Sequence, residues 1–387
     1  MNILHICLAG MFSEGYAYQD NVMTKYHKKA GHIVEVITSI KALSPEGKIV
    51  CFNQQKPYIN KDGVSVVRLP YGSPVTLSRE IRHYIGLFDA ISEFKPDIIF
   101  VHGIQFYDMK IVIKYASIHP NIKVFVDNHA DFKNSAQSFL SRKVMHETIW
   151  RCIAKKSINI TQKFYGVLPA RVDFLKDVYK IPANKCELLV MGADDELVEK
   201  AICHRRECLI REEYGIEPDA FLIIAGGKLN RNRPEMLNLM EAVKSINDDK
   251  VKLLVFGNVA DEYKQMFDEL CRSASIVYAG WQDSEKTYDL MGAGDLIVFP
   301  GLHSVMWEQA VALGVPCIFR QMVGFDHVDI GGNAIFLTDV SADRLKRTIK
   351  NLVDDKSIYN EMLKAAQSNK RKKFMYSQIA EDAINSQ

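Results

Sequence analysis

The sequence predicts an α/β protein made of two successive Rossmann-like domains. Two observations carry the prediction. Short apolar runs alternate with helix-length segments through the first half of the chain, the pattern of βαβ units around a parallel sheet. After GADD at 192–195 the same alternation begins again. Length agrees, since 387 residues exceed what one core usually organises. The domains are expected at 1–190 and 191–366, with 367–387 a helical segment crossing back to the first.

In the first half, residues 3–8 read as a strand, 10–15 as a glycine-bracketed loop and 21–30 as a helix ending at Gly31. Strands follow at 33–38 and 64–69, and a helix at 77–94. The runs 97–102 (DIIFVH) and 123–129 (KVFVDNH) are strands ending in polar residues. Carboxyl ends of strands line the ligand crevice of open α/β sheets, so His102 and His129 are both expected to face it, with Asp127 and Asp131 beside His129. Residues 138–156 pattern as a basic amphipathic helix. Such a helix can lie on an anionic membrane surface or simply pack on the sheet. A strand at 186–191 closes the half.

The second half restarts with a strand at 220–225, the loop GGKLNRNRP at 226–234 and a helix at 236–246. A strand at 251–256, a helix at 263–272, a short strand at 276–279 and a helical turn at 288–293 come next. Strand 296–299 leads into PGLHSVMWEQAVALGVP at 300–316, and strand 317–319 follows. Within that stretch a buried helix is expected at 305–313, with Ser304 as N-cap and Gly314 just past the end. The charge run 369–373 (NKRKK) reads as a solvated turn.

Composition narrows the function. No run approaches the roughly 18 apolar residues of a membrane span. Residues 1–8 read as a strand rather than a signal peptide. The eight cysteines are scattered without a CxxC pair, which fits a reducing cytoplasm and argues against structural zinc. Residues 1–190 hold 25 Lys and Arg against 16 Asp and Glu, net +9, and the remainder holds 24 against 31, net −7. A basic first half suits an anionic partner, a phospholipid surface or a phosphate-bearing acceptor. Without an Arg/aromatic stripe, nucleic acid is not expected.

The candidate site is built from two loops. Gly226 and Gly227 permit close approach of a phosphate, and Lys228, Arg231 and Arg233 supply cations. The loop is neither a P-loop nor a GxGxxG fingerprint. His303 and Ser304 lie in the second loop, before a helix N-terminus. Glu308, one turn inside that helix, must find donors: sugar hydroxyls or a neighbouring arginine. A nucleoside diphosphate held here and facing His129 describes a glycosyl donor at a domain cleft.

These residues resemble the retaining GT-B glycosyltransferases of the large family-4 group, of bacterial polysaccharide and glycoconjugate type. The resemblance runs nearly end to end. Its pieces are the N-terminal strand and loop with Tyr18-Gln19-Asp20-Asn21, GHIVEVIT at 31–38, GVSVVRLP at 63–70, KPD at 95–97, DNHAD at 127–131, VMGAD at 190–194, the GGK loop and EQAVALGVP at 308–316.

The resemblance implies two Rossmann-like domains facing each other across a cleft. It also implies sugar transfer from a UDP- or GDP-type nucleotide sugar to a glycan or lipid-linked acceptor, with retention of configuration. Lys228 and Arg233 would stabilise the departing diphosphate, and His129 would sit near the anomeric centre. Glu308 matches the second Glu of an E-x7-E motif and would bind the ribose. Pro300 stands where the first Glu belongs, and the shortened loop puts His303 and Ser304 where Gly-Phe-Gly commonly lies. Gly15, Tyr18, Gln19, Asn21, His102 and Asp131 would line the acceptor side. No metal and no cofactor beyond the nucleotide-sugar co-substrate are implied. The expected location is the cytoplasm, with the inner membrane face a candidate for peripheral contact. A non-catalytic nucleotide-sugar-binding assembly protein and a sugar-nucleotide epimerase of the same fold are the alternatives.

Overall fold

The computed structural model describes residues 1–44, 48–52, 56–132, 135–136, 138–231 and 234–385. The chain divides into two compact units, 1–191 with 376–387, and 192–375. The first boundary falls one residue later than expected. Residues 367–375, expected in the crossing segment, stay with the second unit.

The first unit holds strands β1 (Asn2–Cys7), β2 (Ile33–Ser39), β3 (Lys41–Leu43), β4 (Ile49–Cys51), β5 (Tyr58–Ile59), β6 (Ser65–Leu69), β7 (Ile98–His102), β8 (Lys123–Asn128), β9 (Thr161–Gly166) and β10 (Cys186–Leu188). Eight of them form one sheet in the order β10-β9-β8-β7-β1-β2-β6-β5, parallel except for the edge strand β5. β3 and β4 form a separate antiparallel pair. Neighbours β1 and β7 mark the point where the chain changes direction across the sheet, the position at which such sheets open a crevice.

The strands are apolar on both faces because helices cover both. Val22, Met23 and Tyr26 of helix Gln19–Lys29 pack against Ile379, Ala380 and Ala383 of the last helix, Tyr376–Asn385. Fully burying each larger side chain contributes roughly 1.5–3 kcal/mol, enough to dock this terminal helix. The helix expected at 77–94 is two, Val75–Ile81 and Leu87–Phe94, separated where Arg82 adopts a left-handed conformation (φ 57°). The basic segment is a π-helix, Leu140–Trp150, continued by α-helix Arg151–Ser157. Trp150 is buried, whereas Phe139 is 79% exposed. Arg142 and Lys143 both bond Glu147, at 3.1 and 2.8 Å, which softens the basic face.

The second unit holds β11 (Phe221–Gly226), β12 (Val251–Phe256), β13 (Ile276–Tyr278), β14 (Leu296–Phe299), β15 (Cys317–Arg320) and β16 (Ala334–Leu337). They form a parallel sheet in the order β13-β12-β11-β14-β15-β16. Counted along the chain this is 3-2-1-4-5-6, the Rossmann order, with its switch point between β11 and β14. Asp194 is the N-cap of helix Asp195–Ala201, its carboxylate accepting from the Glu196 amide.

Helix Met306–Leu313 starts after Val305, without a side-chain cap from Ser304, and ends at Gly314 (φ 79°). Its residues 307–313 are all buried. The charge run beyond it is exposed, as expected, at every residue but Arg371. It forms a 3-10 helix, Asn369–Phe374, in which the Arg371 guanidinium donates to the Ala312 carbonyl and Lys373 Nζ donates to His327 O at 2.9 Å. A cation at a helix C-terminus complements the helix dipole.

Candidate active site

The switch point of the second unit carries a pocket of about 560 Å³, whose lining includes Gly227, Lys228, Asn258, Trp281, Thr287 and Leu302. A smaller recess beside it shares Lys228 and Leu302 and is also lined by Gly226, Pro300, Gly301, Ser304 and Trp307. Lys228 follows β11 and Pro300 follows β14, so the strand order brings the two sequence loops together. Trp281 is 66% exposed and offers an aromatic surface to the pocket.

Glycine is required where β11 and β12 end. A Cβ on Gly257 (φ +119°) would lie 1.9 Å from the Gly227 carbonyl oxygen. The Gly227 N–H donates to Phe256 O at 3.0 Å and the Leu229 N–H to Asn258 O at 2.9 Å. Those amides are spent inside the protein, so the cation of this loop is the Lys228 side chain. Arg231, expected at the phosphates, instead donates to Glu262 Oε2 at 2.9 Å on the surface and lines neither cavity. An exposed pair of that kind contributes about 0–1 kcal/mol. Arg233 lies outside the described residues.

Glu308, expected at a ribose, is held inside the protein by two histidines. Its carboxylate is fully buried. His303 Nε2 donates to Oε1 at 2.9 Å, and His327 Nε2 donates to the same oxygen at 2.7 Å. Burial alone would raise the Glu308 carboxyl; His303 and His327 outweigh it and hold it down at about 2. Donors were expected to be hydroxyls or arginine, and histidines supply them instead. The ligand atoms of His303, Glu308 and His327 lie within 4.8 Å of one another, a spacing that a cation could bridge. His327 carries no signal in the local sequence; only the fold brings it to Glu308.

On the first unit, His102 and His129 separate. The His129 side chain is 44% exposed, with Nε2 3.4 Å from Asp127 Oδ2. His102 does not face a crevice: it is buried in the sheet, where Nδ1 donates to Asp127 Oδ2 at 2.9 Å. The Gly103 N–H donates to Asp127 Oδ1 at 2.9 Å. Burial would raise the Asp127 carboxyl, but His129 and His102 hold it well below the usual range. Asp131 Oδ2 accepts from Arg171 Nε at 3.1 Å.

The glycine loop after β1 is organised by Asn21, whose Nδ2 donates to Ser13 O at 2.7 Å and Tyr16 O at 2.8 Å. Gly15 takes φ 84° there. Tyr18 stacks on Tyr16 and is 45% exposed. Gln19 is buried, and neither amide atom has a hydrogen-bond partner among the described residues.

With this geometry in view, residues 209–373 match the family model described as glycosyl transferases group 1. The second unit carries a glycosyltransferase domain. The protein is accordingly a transferase of the glycosyltransferase class. No curated protein sequence matches the chain. Among solved structures, Anabaena HepE in complex with UDP is similar at TM-score 0.69 and 14% identity, over 99% of this chain and 98% of that one. A glycosyltransferase from Rickettsia africae gives 0.66 and 14%, over 98% and 96%. WaaG, described as a glycosyltransferase involved in lipopolysaccharide biosynthesis, gives 0.65 and 12%, over 99% and 100%. These likenesses establish the fold as GT-B, with two Rossmann-like domains.

Proposed function

We propose that this glycosyltransferase moves a sugar from a UDP- or GDP-type nucleotide sugar to a glycan or lipid-linked acceptor, with retention of anomeric configuration. The observation that carries the reading is Lys228, shared by the pocket and the recess at the β11/β14 switch point of the matched domain. HepE, with UDP bound, is a structural relative. In this reading the base and ribose occupy the pocket beside Trp281, and the diphosphate lies toward Lys228 and the N-terminus of helix Met306–Leu313.

The chemistry follows from charge. As the sugar–phosphate bond breaks, the sugar becomes oxocarbenium-like and the diphosphate gains negative charge. A fixed cation and a helix N-terminus aimed at that charge stabilise the transition state more than the ground state. Arg233 is the second cation in this reading. His129 positions the acceptor or the sugar. Glu308 acts through His303, holding the shortened loop rather than binding the ribose directly. The acceptor is anionic or lipid-linked: the first domain is basic and leaves Phe139 exposed beside Arg142 and Lys143. No helix among the described residues is long and apolar enough to cross a membrane, so membrane contact in this reading is peripheral.

The test is turnover of radiolabelled sugar nucleotides with lipid-linked acceptors, with the product anomer read by NMR. An inverted linkage overturns retention. A thermal shift with a sugar nucleotide but no turnover identifies a binding protein. An epimerised sugar nucleotide formed without acceptor identifies an epimerase.

A further inference from the structure

A line of buried imidazoles crosses the first domain. His27 Nε2 meets the Ala380 carbonyl oxygen at 2.7 Å, and His27 Nδ1 meets His5 Nε2 at 2.9 Å. His5 Nδ1 meets His102 Nε2 at 2.9 Å, and His102 Nδ1 meets Asp127 Oδ2 at 2.9 Å. The rings are 1%, 0% and 7% exposed, so water does not complete their bonding. One end of the line is a carbonyl of the last helix. The other is the carboxylate that contacts His129.

Protons can be counted along it. Each of the four contacts needs one hydrogen between its two atoms. Three neutral imidazoles bring three hydrogens. The two ends, a carbonyl and a carboxylate, bring none. One ring must therefore hold a second proton. If it is His102, that ring donates to both Asp127 and His5. His5 then donates from Nε2 to His27, and His27 donates from Nε2 to Ala380. Moving the charge to His27 takes two transfers, from His102 Nε2 to His5 Nδ1 and from His5 Nε2 to His27 Nδ1. Each transfer leaves every contact with one hydrogen.

We propose that this line holds His102 as an imidazolium, fixing Asp127 as the carboxylate that anchors His129. His5, His27 and His102 are thus positioning residues for His129, and the carbonyl of the last helix sets their tautomers. The groups facing His102 agree. Asp127 on β8 and Asp20 on helix Gln19–Lys29 favour its charged form; together they overcome burial and raise it. Burial, His27 and His102 push His5 well below its ordinary value. Burial, His32 and His102 outweigh the Ala380 carbonyl and bring His27 down to about 4. The inference stands on the first domain alone and does not depend on the donor chemistry proposed above.

The test is ¹⁵N NMR of imidazole tautomers in the full-length, histidine-labelled protein, with His102 assigned from H102Q. At pH 7 the expected pattern is a doubly protonated His102, with neutral Nε2–H rings at His5 and His27. A neutral His102, or Nδ1–H tautomers at His5 and His27, overturns the proposal. His27→Phe removes two contacts, leaving two that two neutral rings can satisfy. It should lower the His102 titration midpoint by roughly one pH unit. An unmoved midpoint counts against the line. If that variant does not fold, the wild-type tautomers alone decide.

Discussion

Glu308 and His327 are 19 residues apart in sequence and meet at 2.7 Å inside the second domain. His303, five residues before Glu308, shares the same carboxylate oxygen. The carboxylate therefore ties the loop after β14 to the segment after β15. A buried anion of this kind is costly to strand and specific in what it joins.

Replacing Glu308 with alanine should destabilise the second domain by about 3–5 kcal/mol, because two buried histidines lose their acceptor. Gln should cost less, keeping one acceptor oxygen. Calorimetry of both variants, resolving the two domain transitions, is the measurement. An unshifted melting temperature in Glu308→Ala together with lost UDP binding would return Glu308 to the ribose.

The same group makes acid stability predictable. Its folded value, about 2, lies below the ordinary 4.5. The pair's contribution is thus fully present above 4.5 and is lost as pH falls toward 2, a difference on the order of 3 kcal/mol. The gap in urea midpoint between wild type and Glu308→Gln should close over that window. A gap independent of pH would mean the carboxylate is not ionised in the fold.

Lys228→Ala should lower kcat by on the order of 10²-fold and change KM less, since the diphosphate gains charge only as the sugar leaves. Steady-state kinetics with saturating acceptor would reveal the split. A pure KM effect would assign Lys228 to ground-state binding.

Trp281 should report donor binding. Trp150 and Trp307 are buried at 3% and 0% exposure, but Trp307 lines the recess beside Lys228, so a UDP-induced change in emission is assigned by comparison with the Trp281→Ala variant. Trp281→Ala should abolish the signal and weaken UDP roughly tenfold by calorimetric titration. Unchanged affinity would move the base elsewhere.

Nucleotide-sugar binding should survive EDTA, with Lys228 and the helix N-terminus serving in place of a divalent cation. Loss of affinity that Mn²⁺ or Zn²⁺ restores would instead make His303, Glu308 and His327 a metal centre.

Much of the fold was legible because periodicity and punctuation are local. The strand 296–299, the helix after it and the stop at Gly314 follow from an apolar run, a buried pattern and a glycine that accepts positive φ. The restart of the alternation after residue 192 was legible for the same reason, whereas the return of the last helix to the first unit is a long-range contact that no local pattern encodes. The pairing of the GGK loop with PGLHS was legible, since both follow apolar strands and strand ends gather at a switch point. The helix break was not: its left-handed turn falls on Arg82, and Gly86 (φ 87°), which opens the second helix, reads as a residue inside one long helix.

What only tertiary structure decided is which polar groups face one another. Arg231 reads as a phosphate ligand and pairs with Glu262; Glu308 reads as a sugar ligand and pairs with His327. The run NKRKK reads as solvated, yet Arg371 caps a helix that ended 58 residues earlier. His102 reads as a crevice residue and belongs to a line through His5 and His27. His5, a polar residue inside an apolar strand, was the one local clue. In each case the chain's own sequence sets the charge and the hydrogen-bonding capacity of the side chain. Its partner comes from a distant segment, and burial decides which partner is affordable, because an unpaired polar group away from water costs more than almost any alternative contact.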